Sequence, residues 1–72
     1  MQEREIIKVV KDESGAIKEL RNNYMGWSPV NVEDAIRHIE AKLYDYFVES
    51  TEIGKIKVAV GRSHNQKYLR TD

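Results

Sequence analysis

Alternating apolar and polar residues occupy both ends of this chain, and a helical spacing occupies its middle. Near the start, Glu5–Asp12 is rich in β-branched residues and predicts a strand with apolar groups on both faces. Asp12 and Gly15 favour a tight turn, because Gly15 can adopt the left-handed backbone that closes it. Residues 16–24 predict a returning strand, so we expect a β-hairpin over residues 4–24.

The returning strand has an irregular apolar pattern. Ile17 and Leu20 would lie on opposite faces of a regular strand, because successive side chains alternate. A bulge near Lys18 and Glu19 would bring both onto one face. We therefore expect a bulge at that point.

The middle of the chain predicts one helix, after an irregular connection at Met25–Asn31. Apolar residues over 32–43 recur at spacings of three and four and form a single stripe: Val32, Ala35, Ile36, Ile39 and Leu43. No glycine marks the end of this helix, and the periodicity permits an end anywhere from residue 42 to 48. We place it near Lys42, because the following "YDYFVES" has the aromatic and β-branched content of a strand.

Two residues are candidates for the N-cap of this helix. Ser28 is followed by Pro29, and proline is favourable at the first helical position. Asn31 has Asp34 three residues on, which is a variant of the capping box. The sequence leaves both possibilities open.

The last third of the chain predicts strands again. "YDYFVES" at residues 44–50 is one, "KIKVAVG" at residues 55–61 is the most regular, and "KYLRT" at residues 67–71 is a short last one after a polar loop. The order β-β-α-β-β(-β) predicts a single α+β domain over residues 1–72. Its simplest form is a small antiparallel sheet with one helix packed on one face.

The composition limits the class of protein. Twelve basic and twelve acidic side chains give a formal net charge of zero, which is typical of globular proteins rather than of proteins that coat nucleic acids. There is no cysteine and no clustered His/Cys spacing, so we expect neither a metal nor a cofactor. No apolar run has membrane-spanning length and no segment has a signal-peptide pattern, so we expect a cytoplasmic protein without membrane contact.

Charge is nevertheless uneven along the chain. Residues 28–53 hold two cations and six acids, net −4, whereas residues 54–72 hold five cations and one acid, net +4. Those cations are candidate contacts for an anion or a nucleic acid, with Tyr68 able to stack on a base: Lys55, Lys57, Arg62, Lys67 and Arg70. The alternative is a hairpin kept in solution by its charge, with lysines that protect a strand edge.

Three aromatic residues are candidates for a partner surface: Trp27, Tyr44 and Tyr46. Exposed aromatic side chains are frequent hot spots of protein–protein contact, although Trp27 has the alternative of packing beneath the start of the helix. We therefore expect a non-enzymatic binding or accessory module that contacts an unknown protein partner or a second copy of itself. Weak nucleic-acid binding through the basic segment is the alternative.

No pattern along the chain predicts catalysis. Ser63 and His64 are adjacent on one loop, whereas a nucleophile needs a base that faces it and a third group that orients the base. His38 lies one helical turn from Asp34, which favours an ordinary solvent-facing pair. We expect no enzymatic activity.

Six segments follow one another in a distinctive order: "IIKVVKDESGAIKEL", the tryptophan connection, "EDAIRHIE", "YFV", "KVAVG" and "KYLRTD". This succession resembles a family of short bacterial and phage-associated proteins that is known only as a domain of unknown function. The most specific parts are the turn with Gly15, the stripe of Ala35, Ile36 and Ile39, and the closing Tyr68–Thr71. The resemblance implies a compact α+β module and directs attention to Tyr68–Thr71; it implies no activity, cofactor or catalytic residue.

Overall fold

The computed structural model describes residues 2–71. In chain order its elements are β1 (Gln2–Glu5), β2 (Lys8–Lys11), β3 (Ile17–Arg21), β4 (Val30–Asn31), α1 (Val32–Glu40), β5 (Tyr44–Ser50), β6 (Gly54–Ser63) and β7 (Gln66–Thr71). The helix packs against β3, β4, β5 and β7. The predicted α+β fold class is therefore confirmed.

The strands form two sheets rather than the single sheet that we predicted. One sheet has the order β1-β5-β6-β7, and the other has the order β2-β3-β4. The pair β1–β5 is parallel, with Gln2 opposite Tyr44, whereas the other strand pairs are antiparallel. The predicted antiparallel sheet is therefore wrong for β1, which pairs in parallel with β5.

The predicted strand Glu5–Asp12 is divided between the two sheets. The N–H of Ile6 donates to the carbonyl oxygen of Phe47 in β5 at 2.7 Å, whereas the N–H of Ile7 donates to that of Arg21 in β3 at 3.0 Å. Ile6 itself is buried in the core. A segment with apolar groups on both faces can therefore pass from one sheet to the other while its backbone N–H groups stay paired.

The β2–β3 hairpin has the predicted turn and the predicted bulge. Gly15 has a φ of 89°, the left-handed conformation that the turn requires. The register of β3 against β2 passes from Ile17 to Glu19 and leaves Lys18 as the extra residue. Because of this bulge, Ile17 packs against the same core that contains Leu20.

Helix α1 begins at the second of the two candidate caps. The side-chain oxygen of Asn31 accepts a hydrogen bond from the N–H of Asp34 at 2.8 Å, so Asn31 rather than Ser28 is the N-cap. Glu33 and Asp34 lie in the first turn, where carboxylates interact favourably with the helix dipole.

The helix ends at Glu40, slightly before the predicted end near Lys42. The N–H of Leu43 donates to the carbonyl oxygen of His38 at 2.9 Å, and the N–H of Lys42 donates to that of Ile39 at 3.1 Å. Lys42 has a φ of 58°, so the end is a Schellman motif that carries a lysine where glycine is usual. Leu43 is 56% exposed and does not belong to the apolar stripe.

Both sheets and the helix contribute to one core. Its buried apolar side chains are Ile6, Leu20, Val30, Ala35, Ile36, Tyr46, Val58 and Leu69. Strand β5, with its aromatic run, lies inside its sheet between β1 and β6, whereas β7 is an outermost strand. Strand β7 is part of the predicted basic segment, and one of its edges has no strand neighbour among the described residues.

Candidate functional site

The five predicted anion contacts divide between the two faces of the four-stranded sheet. Side chains alternate along a strand, and the register of β6 against β7 is regular. Lys55, Lys57 and Arg70 consequently lie on the outer face. Arg62 and Lys67 lie opposite each other on the inner face, which also carries the core residues of these strands.

Three of these cations are paired with acids from other elements. Each ion pair joins the basic β6–β7 hairpin to β1, β5 or α1: Lys55 to Glu3 at 2.6 Å, Lys57 to Asp45 at 3.0 Å, and Lys67 to Glu40 at 2.7 Å. A carboxylate beside a cation weakens the field that a phosphate would meet. The fold therefore does not assemble the five predicted residues into one basic patch.

The predicted loop at residues 62–66 is reduced to a two-residue turn. Ser63 pairs with Gln66, and His64 and Asn65 at the tip have φ values of 50° and 64°. Positive φ at both central positions defines a type I′ turn, the usual turn of a tight hairpin. The segment that we considered as an anion contact is thus the closing turn of a regular hairpin.

The three predicted aromatic residues lie together around Arg4. The guanidinium carbon of Arg4 is 3.5 Å from the ring centroid of Tyr44, 5.1 Å from that of Trp27 and 5.8 Å from that of Tyr46. Trp27 and Tyr44 are half-buried, and Trp27 packs edge to face on Tyr46. Tyr46 is completely buried, so the prediction that it forms part of a partner surface is corrected.

The hydroxyl group of Tyr46 joins Arg4 to His38. Arg4 Nη1 donates to this oxygen at 3.0 Å, and His38 Nδ1 lies 2.8 Å from it. Because a guanidinium only donates, the phenol hydrogen is free for donation to Nδ1, and in that arrangement the imidazole is neutral with its proton on Nε2. The predicted solvent-facing pair of His38 with Asp34 is corrected as well, since Asp34 forms its ion pair with Arg37.

Two pKa shifts support this arrangement. Burial, followed by the positive charge of Arg4, lowers the pKa of His38 below its ordinary value of 6.5. Burial raises the pKa of Tyr46 above 10.0, although the hydrogen bond from Arg4 opposes this. Both groups are therefore neutral near pH 7. Through these contacts, Arg4, His38 and Tyr46 connect β1, α1 and β5.

Sequence reasoning missed Arg4 because its contacts arise from a pairing between distant segments. Arg4 lies opposite Tyr46 in the parallel β1–β5 ladder. The surrounding run "QERE" is charged and shows no apolar periodicity that would predict a strand.

A groove of about 440 Å³ runs beside β7. It is lined by consecutive residues of β7 and by the β2–β3 hairpin: Tyr68, Leu69, Arg70 and Thr71, with Val9, Lys11, Gly15, Ala16 and Ile17. Neighbouring side chains leave a strand on opposite faces, so consecutive residues line a groove that follows the strand's edge. That edge of β7 has no strand neighbour in the part of the chain that the structure describes.

In β7, the backbone N–H and C=O groups of every second residue point to the outer edge, beside which the groove lies. In a two-residue hairpin the flanking pair, here Ser63 and Gln66, exchanges both backbone hydrogen bonds, and every second pair does the same. The residues between them turn their N–H and C=O groups away from β6, toward the outer edge: Lys67, Leu69 and Thr71.

Features of other site classes are absent from residues 2–71. No three His, Cys, Asp or Glu side chains are grouped there so as to hold a metal ion. The described helix is also too short and too polar to cross a membrane.

The chain matches no protein-family model, no curated protein and no solved structure. The resemblance to a family of unknown function therefore stays a prediction.

Proposed function

We propose that this chain is a non-enzymatic binding module that takes an extended segment of a partner protein along the outer edge of β7. The observation that carries the proposal is the groove beside this edge, with the backbone of Leu69 and Thr71 on one wall and apolar Val9 and Ile17 on the other. A strand added there gains backbone hydrogen bonds from β7, and its side chains reach the apolar wall. The cysteine-free composition fits the cytoplasm, which we propose as the location.

The experiment selects a displayed library of random linear peptides on the whole chain and maps the selected peptides by amide shifts in NMR. We expect the largest shifts at Tyr68–Thr71 and in the β2–β3 hairpin. Thr71→Pro removes an N–H that faces the outer edge without removing a bond to β6, so it should abolish binding. Thr71→Ala keeps this N–H and is the matched control.

Two outcomes would contradict the proposal. One is a set of selected peptides whose shifts map away from β7, or whose binding survives Thr71→Pro. The other is sedimentation showing that a second copy of the chain occupies the edge, with Thr71→Pro converting a dimer into a monomer.

The second candidate is weak nucleic-acid binding on the outer face of the four-stranded sheet. The observation in its favour is that Lys55, Lys57 and Arg70 share that face. Binding of this kind weakens steeply with salt. Fluorescence anisotropy with single- and double-stranded oligonucleotides at low salt tests it, and a flat titration would exclude this candidate.

A further inference from the structure

We propose that the tip of the β6–β7 hairpin holds a second binding site, which takes the phosphate group of a phosphate monoester. A cavity of about 320 Å³ lies at this tip and is lined by Arg62, Ser63, His64, Asn65 and Lys67. Its described lining contains no acidic residue and shares no residue with the groove beside β7. The site is therefore separate from the proposed strand-binding edge, and its ligand has another chemistry.

Two cations stand directly opposite each other in this cavity. Arg62 and Lys67 form a cross-strand pair on the inner face of the sheet. This pair adjoins the hydrogen-bonded pair that flanks the turn, so it belongs to the kind in which opposite side chains are closest. Like charges directly opposite each other destabilise a sheet. An anion bound between the two side chains would remove this repulsion.

Glu40 compensates only one of these two cations. Its carboxylate, at the end of α1, lies 2.7 Å from Nζ of Lys67. The side chain of Arg62 is exposed, and within residues 2–71 it forms neither an ion pair nor a hydrogen bond. The cavity consequently keeps one uncompensated positive charge, on a guanidinium whose N–H groups can donate to two oxygens of a phosphate at once.

The residues at the tip of the hairpin are not the ones that favour its turn. His64 and Asn65 have φ values of 50° and 64°, a conformation that is unfavourable for residues with a Cβ atom, and Asn-Gly is the preferred pair for a type I′ turn. Local costs of this kind concentrate at functional sites. The imidazole of His64 and the hydroxyl group of Ser63 supply hydrogen-bond donors beside the two cations.

This set of donors fits a phosphate monoester better than a carboxylate. A monoester carries a charge of about −1.5 to −2 at pH 7 and has three strong acceptor oxygens, so two oxygens can face Arg62 while the third accepts from Lys67 or His64. A carboxylate has a single charge and two oxygens. The phosphate can belong to a small molecule or to a phosphorylated side chain of a protein, since both present the same group.

The experiment compares three probes of similar size by amide shifts in NMR at low salt: phenyl phosphate, phenyl sulfate and benzoate. We expect phenyl phosphate to bind most tightly, with the largest shifts at residues 62–67. Arg62→Gln should weaken this binding roughly two- to fivefold, the range for an exposed charge pair. Lys18→Gln, at an exposed lysine outside the cavity, is the charge-matched control and should leave it unchanged.

A second variant tests the turn itself. Replacing His64-Asn65 by Asn-Gly keeps the hairpin and both cations but removes the imidazole. It should weaken phenyl phosphate at least about twofold, the loss expected for one hydrogen bond.

Two further probes distinguish the sources of the phosphate. A phosphoserine peptide that binds more tightly than N-acetyl-phosphoserine amide would indicate a phosphorylated protein segment. A peptide that binds equally or more weakly would indicate a small molecule.

Several results would overturn the proposal: shifts that map away from residues 62–67, equal binding of phenyl phosphate and benzoate, or an equal loss with Arg62→Gln and Lys18→Gln. Tighter binding of an oligonucleotide without a terminal phosphate would also overturn it, because phosphodiesters would then be the ligand. Thr71→Pro, which blocks the edge of β7, should not change the binding of phenyl phosphate. The phosphate site and the strand-binding edge can therefore fail independently.

Discussion

The ring of Tyr68 lies across Gly61. The two residues are directly opposite each other in the β6–β7 ladder, and a Cβ atom on Gly61 would stand 2.5 Å from Cζ of the ring. The glycine at this point indicated the end of a strand, yet β6 continues to Ser63. Aromatic rings compensate for glycines in sheets by covering the space of the missing side chain, and Tyr68 does so here.

Gly61→Ala should lower the free energy of unfolding by about 1 kcal/mol, because the ring of Tyr68 has to leave its place. In a Tyr68→Ala background the same change should be neutral or stabilising, because the obstacle is gone and glycine is the poorer strand residue. Urea denaturation of the four chains measures the coupling. Simple additivity of the two changes would show that the ring and the glycine are independent.

Lys42→Gly should raise the free energy of unfolding by about 1 kcal/mol. Lys42 holds a φ of 58° at the end of α1, a conformation that costs residues with a Cβ roughly 1–2 kcal/mol and costs glycine little. Lys42→Ala removes the charge but keeps the Cβ, so it should bring no gain. Thermal unfolding followed by circular dichroism distinguishes the two, and an equal effect of both variants would refute the backbone explanation.

Replacing His64-Asn65 by Asn-Gly should also stabilise the chain, by roughly 1 kcal/mol, since both positions have positive φ and Asn-Gly is the preferred type I′ pair. His64→Val should have the opposite effect, because β-branched residues are outliers at positive φ. Denaturant midpoints of the two variants check the prediction. A stable His64→Val variant would mean that the turn tolerates another conformation.

Stability should fall as the pH is lowered through 6.5, the ordinary pKa of histidine. The pKa of His38 is lower in the folded chain, so the unfolded chain takes up this proton first and protonation favours unfolding. The groups that face His38 are Arg4 from β1, Tyr44 and Tyr46 from β5, and Asp34 and Arg37 from α1.

The control for this pH dependence is His38→Asn, which keeps an acceptor near the position of Nδ1 and does not titrate. Urea denaturation at a series of pH values should show a smaller pH slope for this variant. Identical slopes for both chains would show that His38 is not the titrating group. The remaining histidine, His64, is present in both and does not affect the comparison.

The features that the sequence predicted correctly are set by neighbours along the chain. Gly15 at the turn and the extra residue Lys18 each depend on a few adjacent positions, whereas the sequence left the N-cap open between Ser28 and Asn31. The end of α1 was placed too late because Lys42 adopts the left-handed conformation without the glycine that would have indicated it.

The features that the sequence did not predict depend on pairing between distant segments. Nothing in the run around Ile6 and Ile7 specifies that one N–H bonds to β5 and the next to β3. The contacts of Arg4 and His38 with Tyr46 follow from the same pairing. In the sequence, Val9 and Leu69 have the pattern of ordinary core residues. That they line a groove depends on the position of the β7 edge, which the sequence does not give.

The parallel pairing of β1 with β5 has a consequence for the order of folding. The loop that this pair closes contains β2, β3, β4 and α1, whereas the β2–β3 and β6–β7 hairpins close short loops. Closing a long loop costs more chain entropy, and contacts of high sequence separation slow folding. We therefore expect the hairpins to form first and β1 to dock last, so that amides of β1 exchange with solvent before those of β6.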